Sequence, residues 1–151
     1  MIDPHKEKYH KLYWELAFAA ARQSQAHRAQ VGAVLVMPTG MISIGWNGMP
    51  AGLDNLCETP EFIQEENCRR WKTKPEVIHA ERNAIDKMTR QGVPTAGSIL
   101  FVTHSPCLEC CKALHGLGLK AVYYHHLHDD TRGFPLLNSA GVRIIRWDEA
   151  A

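Results

Sequence analysis

Two short segments, His79-Ala80-Glu81 and Pro106-Cys107-Leu108-Glu109-Cys110, constrain this chain more than anything else in it. Cys107 and Cys110 are three residues apart, so on a helix they share one face. Pro106, directly before Cys107, suits a helix start. His79 likewise stands where a helical pattern begins, with Ala80, Ala84, Ile85 and Met88 available for packing. A thiolate at a helix N-terminus is favoured by the partial positive charge there, which lowers its pKa. One imidazole and two thiolates can supply three ligands to a zinc ion and leave its fourth position open to water. A fold that uses both segments must therefore bring two helix starts, far apart in sequence, to one point. Glu81 is then placed to move protons beside that water, and it does so best if burial raises its pKa.

Each segment alone has a blander meaning. A lone His-Ala-Glu on a helix is usually solvated surface, and a lone Cys-x-x-Cys is more often a redox pair or half of a structural zinc site. A redox pair would need neither His79 nor Glu81. A four-cysteine site would need two more close cysteines, whereas Cys57 and Cys68 are widely spaced. The joint pattern, H-x-E and then P-C-x-x-C, resembles the recognised signature of zinc nucleobase deaminases.

The remaining composition narrows the setting. A chain of 151 residues makes one compact domain with a real core. Hydrophobic residues at 45% and charged residues at 22% are ordinary for a soluble globular protein. A net charge of +1 argues against a long nucleic-acid footprint, so no polymeric nucleic-acid partner is expected. No apolar run approaches the roughly 18 residues of a membrane span. The N-terminus lacks a signal-peptide core, which implies a cytoplasmic protein. Five irregularly spaced cysteines are a poor disulfide framework and better suit metal binding or redox chemistry.

Periodicity predicts the elements. Apolar residues at helical spacing run from Tyr9 to Ala26. Val31 to Val36 is a buried strand, Pro38-Thr39-Gly40 a turn, and Met41 to Trp46 its antiparallel partner. Residues 48–77 form an insertion, in which Glu61 to Trp71 is expected to be a short helix. A helix over His79 to Arg90 ends at Gly92 and Pro94. Ser98 to Thr103, Ala121 to Tyr124 and Val142 to Trp147 are strands. Cys107 to Leu117 and Phe134 to Ala140 are helices. The order α-β-β-α-β-α-β-α-β implies an α/β fold, three-layer α/β/α, with a mixed five-stranded central sheet and helices on both faces.

From Val31 to Ile145 the chain resembles the cytidine and deoxycytidylate deaminase superfamily. His79-Ala80-Glu81-Arg82-Asn83-Ala84 looks like its deoxycytidylate branch, which favours Asn two residues after the catalytic Glu. Gly45-Trp46-Asn47-Gly48-Met49-Pro50-Ala51-Gly52 resembles that branch's G-Y-N-G-x-P-x-G segment. Val31-Gly32-Ala33 and Ala140-Gly141-Val142 match two further segments. The resemblance implies hydrolytic conversion of dCMP to dUMP and ammonia, supplying dUMP for thymidylate synthesis. It implies zinc on His79, Cys107 and Cys110, with Glu81 as proton shuttle. It places Asn47 on the sugar or base edge, the backbone around Ala80 and Ser105 on the base, and Tyr124 on the sugar. It also implies a homo-oligomer, typically a hexamer. Some members bind dCTP or dTTP with Mg2+ near the loop that here holds Asn47, Gly48, Met49, Pro50 and Gly52.

The chain departs from the family before its first strand, at Ser24-Gln25-Ala26-His27-Arg28, where Arg28 could pair with the substrate phosphate. His104 replaces a commonly apolar residue and could alter the pocket near the base. The run His125-His126-Leu127-His128 is unusually rich in histidine, and is either solvated loop or a phosphate or metal contact. Cys57 and Cys68 could bind a second zinc, as in some members, or be buried free thiols. Cys111 is expected in the core. Arg69, Arg70 and Lys72 could touch phosphate or simply be a solvated face. Trp14, Trp71 and Trp147 are expected to pack. The alternatives to a dCMP deaminase are a deaminase of 5-methyl or 5-hydroxymethyl dCMP, motivated by His104, a tRNA or single-stranded DNA editing deaminase, and a non-catalytic zinc module.

Overall fold

The computed structural model describes residues 2–64 and 66–147, apart from the side chains at positions 62, 63 and 68. A 3-10 turn over Glu7–Tyr9 leads into helix α1, His10–Ala21. Strands β1 (Gly32–Val36) and β2 (Ile42–Trp46) follow, then β3 (Glu58–Ile63) and β4 (Cys68–Thr73). Helix α2 (Ala80–Gln91), strand β5 (Ile99–His104), helix α3 (Leu108–His115), strand β6 (Ala121–His126), helix α4 (Phe134–Ser139) and strand β7 (Arg143–Arg146) complete the order. Five strands form one sheet in the order β2-β1-β5-β6-β7. The β1 pairings with β2 and β5 are antiparallel, and the β5-β6 and β6-β7 pairings are parallel. The expected mixed α/β sheet is the one the chain forms.

Strand residues alternate between two cores, as the two-residue period of a strand requires. Val34, Val36, Ile99 and Phe101 face α1, where Tyr13, Trp14 and Ala17 are buried. Ala33, Leu35, Leu100, Val102 and Val122 face the other side and pack with Ala80, Ala84, Met88, Leu114 and Leu137 of α2, α3 and α4. Helices therefore cover both faces. Trp14 and Trp147 stack with ring centroids 4.9 Å apart, as packing residues should. Trp71 instead lies half exposed beside the His27 ring.

Three expectations about elements need correction. Glu61 to Trp71 is not a helix: β3 and β4 form a separate antiparallel hairpin, with Glu61 opposite Arg70. Glu61 pairs with Arg70 at 3.3 Å and with Lys72 at 3.8 Å across that hairpin, a cross-strand arrangement that helical spacing does not anticipate. Helix α1 ends at Ala21 rather than Ala26, because Ser24 turns its hydroxyl to the Asn47 carbonyl (2.8 Å) and accepts from the Ala26 N–H (3.2 Å). Strand β6 runs on through His125 and His126, with His126 in register with His104. Half of the histidine run is thus sheet, not loop. Among the described residues no helix is long and apolar enough to cross a membrane.

Candidate active site

The two segments converge through two helix starts of the same form. His79 is the N-cap of α2 (φ −71°, ψ 156°) and Cys107 is the N-cap of α3 (φ −72°, ψ 175°), both extended. Each accepts the first helical hydrogen bond through its carbonyl, from the Asn83 and Cys111 N–H groups respectively, at 2.9 Å. Their side chains are thereby free of the helix and point across the end of the sheet. His79 Nδ1 lies 3.1 Å from Cys110 Sγ and 3.6 Å from Cys107 Sγ. The three donor atoms lie within 4.8 Å of one another, the one such group of three among the described residues. Tetrahedral zinc with ordinary bond lengths would separate nitrogen from sulfur by about 3.6 Å. The donor set and its spacing fit zinc.

Electrostatics within the cluster agree with that assignment. Cys110 and His79 hydrogen-bond to the Cys107 sulfur and hold that thiol down at about 3. Cys110 donates to the Cys107 thiolate, and this together with burial pushes its own thiol up. The hydrogen bond with Cys107 raises His79. Glu81, in the first turn of α2, is buried, and burial raises its carboxyl above the ordinary range. A carboxyl so raised holds a proton to higher pH than an ordinary one, which suits a proton shuttle.

Close backbone approaches position both helix starts. A Cβ added at Gly45 of β2 would stand 2.3 Å from the Ala80 carbonyl oxygen and 2.6 Å from the Ala84 nitrogen. Only glycine lets α2 lie this close to the sheet. Ser43 donates to the Ala84 carbonyl at 2.7 Å, and the Asn83 amide oxygen accepts the Trp46 N–H at 3.2 Å. On the other helix, a Cβ at Gly133 would stand 2.4 Å from Cys111 Cβ. Asp130 accepts the Leu108 N–H at 3.2 Å and pairs with Arg132 at 2.9 Å. The Arg132 hydrogen bond holds the Asp130 carboxyl below the usual carboxylate range, so it stays charged at the start of α3.

A cleft of about 220 Å³ opens over the cluster, somewhat below the usual range of about 300–1,000 Å³ for small-molecule sites. His79, Ala80, Glu81, Cys107, His104, Ser105, Asn47, Arg28 and Cys57 all line it, so nine of the expected site residues share one cavity, and Cys110 is not among its lining residues. Ser105 is buried, accepts the His128 N–H on its hydroxyl at 2.7 Å, and donates its own N–H to the His126 carbonyl at 2.8 Å. His104 is held below its ordinary pKa by burial and by His126, His128 and His125 nearby. Asn47 spends part of its amide on the backbone, accepting from the Val31 N–H (2.9 Å) and donating to the Ala29 carbonyl (2.8 Å). An amide has two donors and two lone pairs, so one of each remains.

Tyr124 lies elsewhere, in the core beside Phe134, and is not among the cleft residues. In the Asn47–Gly52 segment, Gly48 pairs with Ile78, so this loop leaves the cleft beside His79. Cys57 is fully buried and lines the cleft, while the side chain of Cys68 lies outside the described residues. Cys111 is in the core as expected, its thiol pushed up to about 12 by burial. Residues without a local sequence signal also line the cleft, among them Glu58, Thr73 and Val77 of the hairpin region. His128 lines it too, and its one signal was the histidine run.

Comparison with known proteins bears on the same residues. Residues 7–126 match the family described as the cytidine and deoxycytidylate deaminase zinc-binding region. ComE operon protein 2 of Bacillus subtilis is 35% identical, over 92% of this chain and 75% of its own. The deoxycytidylate deaminase of Schizosaccharomyces pombe is 33% identical over 89% of this chain, which spans 42% of that longer protein. The crystal structure of dCMP deaminase from cyanophage S-TIM5, in complex with dCMP and dUMP, superposes with a TM-score of 0.82 and 36% identity. It covers 94% of this chain, and 98% of that chain is matched. A structure from a study of tRNA:A34 deaminases shares the fold at 20% identity and a TM-score of 0.60.

Proposed function

From a chain that belongs to the cytidine and deoxycytidylate deaminase family, clusters His79, Cys107 and Cys110, and places Glu81 in the same cleft as His79 and Cys107, we infer a zinc-dependent deaminase whose substrate is dCMP. The observation that carries the substrate is the likeness, over nearly the whole of both chains, to a dCMP deaminase solved with dCMP and dUMP. The reaction adds water to C4 of the cytosine ring and breaks the C4–N4 bond, giving dUMP and ammonia.

His79, Cys107 and Cys110 would hold the zinc. The ion supplies Lewis acidity, lowering the pKa of water toward roughly 7. Glu81 takes a proton from the attacking water, places one on ring N3, and delivers one to the leaving amino nitrogen. Its burial raises its affinity for the proton it carries between these atoms. Ala80 and Ser105, which line the cleft, would border the base through their backbone, and His104 on the same wall would meet a group at C5. Arg28, on the cleft wall, is the cation for the 5′-phosphate, since guanidinium pairs well with phosphate. Asn47 keeps one donor and one acceptor for the sugar.

A substrate panel on zinc-quantified protein tests this: dCMP, CMP, deoxycytidine, 5-methyl-dCMP and a cytosine-containing oligodeoxynucleotide. The expected order has dCMP fastest. Turnover of 5-methyl-dCMP exceeding that of dCMP would give the site to a 5-substituted substrate. Activity on the oligonucleotide alone would overturn the mononucleotide assignment.

A further inference from the structure

The turn after β6 holds an acid that the deamination chemistry leaves unused. Asp130 lies far along the chain from α3, yet its Oδ2 accepts the Leu108 N–H at 3.2 Å. Leu108 is the first residue of α3, so this N–H belongs to the peptide that joins Cys107 to the helix. The first N–H groups of a helix have no partner inside it. An N-cap side chain reaches the N–H two or three positions on, not the next one, so Cys107 cannot serve Leu108. Glu109, the acid in the first turn, is exposed and turned to Lys112 at 3.2 Å. The partner therefore comes from another element.

The Asp130 carboxylate is itself held on both oxygens. Arg132 donates Nε and its backbone N–H to Oδ1, at 2.9 and 3.2 Å, and Nη2 to Oδ2 at 3.1 Å. The Asp130 N–H goes to His128 Nδ1 at 2.9 Å, and the His128 N–H goes to Ser105 Oγ at 2.7 Å. One turn thus ties the cleft wall at Ser105 to the start of α3. Gly133 closes that turn against the same helix: a Cβ there would meet Cys111 Cβ at 2.4 Å and the Leu108 Cα at 3.3 Å. Charge does not explain the acid. Zinc takes cysteines as thiolates, and a further anion beside two thiolates is repelled, a repulsion that the Arg132 guanidinium offsets. What Asp130 supplies is an acceptor in one fixed place. We propose that Asp130 is a positioning residue for the zinc ligands: by holding the Cys107–Leu108 peptide it sets the first turn of α3, from which both sulfurs project. The inference rests on zinc at His79, Cys107 and Cys110, and adds the group that orients two of the three.

The test loads zinc into wild type, D130A and D130N and measures its affinity by competition with a chromogenic chelator. Asparagine keeps an acceptor for the Leu108 N–H and serves a helix start about as well as aspartate, whereas alanine has none. Removing a group that orients a metal ligand typically weakens metal binding about 10- to 100-fold. D130A should therefore bind zinc at least about tenfold more weakly, and D130N within about threefold of wild type. With Co2+ in place of zinc, the visible bands should change in D130A and not in D130N. Phe101→Leu, a core change on the α1 face of the sheet, controls for lost stability: it should lower the melting temperature and leave zinc affinity within about threefold. Zinc affinity of D130A within about threefold of wild type overturns the proposal. So does an equal loss in D130N, since the acceptor would then not be what matters, or in Phe101→Leu, since Asp130 would then only stabilise the fold. Amide hydrogen exchange of the zinc-loaded wild type decides the matter even where a variant fails to fold. The Leu108 N–H should exchange at least about tenfold slower than in an unfolded chain, and exchange at the unfolded rate overturns the proposal. A wild type that binds no zinc would instead remove the zinc assignment itself.

Discussion

Replacing Gly45 by alanine tests whether close helix-to-sheet approach sets the catalytic geometry. The added Cβ would meet the Ala80 carbonyl oxygen at 2.3 Å, the Ala84 nitrogen at 2.6 Å and the Ala84 Cα at 3.1 Å. Non-bonded atoms rest about 3.5 Å or more apart, so α2 must retreat by about 1 Å. Ser43 and Asn83 tie α2 to β2 and resist that retreat. Overpacking of this kind costs about 1–3 kcal/mol, or roughly 3–10 °C in melting temperature for a chain of this size. The function lost should exceed the stability lost. His79 and Glu81 flank Ala80 at the clashing end of the helix, and a misplacement of about 1 Å can cost about 100-fold in rate. Thermal melts and kcat on dCMP read the two effects separately. Gly116→Ala is the control: it has φ −89° and no heavy atom within 4 Å of an added Cβ, and it should be nearly neutral in both assays. A Gly45→Ala protein with wild-type melting temperature and kcat within about twofold would refute the argument that this contact positions the site.

Two further outcomes are expected. Glu81→Gln should retain one zinc per chain and lose turnover. Burial raises the folded pKa of Glu81 above its unfolded value, so its contribution to stability is complete below the unfolded pKa and lost as pH rises through the folded one. The metal-free Gln variant should therefore melt above metal-free wild type at pH 8, with the gap closing toward pH 4; a lower melting point at pH 8 would contradict the buried charge. Cys107, held at about 3, should remain a thiolate throughout the neutral range in the metal-free chain. Its alkylation by iodoacetamide should stay nearly flat from about pH 8 to pH 5, where an ordinary thiol slows about tenfold per unit, and zinc should protect it. A rate that falls with pH like a free thiol would disprove the assigned charge.

The two halves of the candidate metal cluster were each legible because the spacing within each half is local. Cys107 and Cys110 share a helix face by their separation alone, and Pro106 marks where that helix begins. Strands β1 and β5 announced themselves as short apolar runs, since a strand covered on both faces needs no polar side. The hairpin did not. Glu58–Ile63 and Cys68–Thr73 are charged and half exposed in part, and their strand character comes from pairing with each other. Asn47 was expected at the site from the resemblance and lines the cleft, while its two bonds to the Ala29 and Val31 backbone were not legible.

What the sequence by itself determined is the chemistry: one imidazole, two thiolates and one carboxyl at two helix starts, because those placements follow from the 3.6-residue turn and need no distant partner. What only the tertiary structure decided is the cleft around them. Gly45 under Ala80, Gly133 against Cys111, and Glu58 beneath His27 and Arg28 are contacts between residues far apart in the chain. Such contacts leave no period in the sequence, because the atoms that meet are brought together by the packing of the whole sheet. They set how far α2 stands from β2 and how the loop at His27 and Arg28 is held, and a single sequence holds no measure of either.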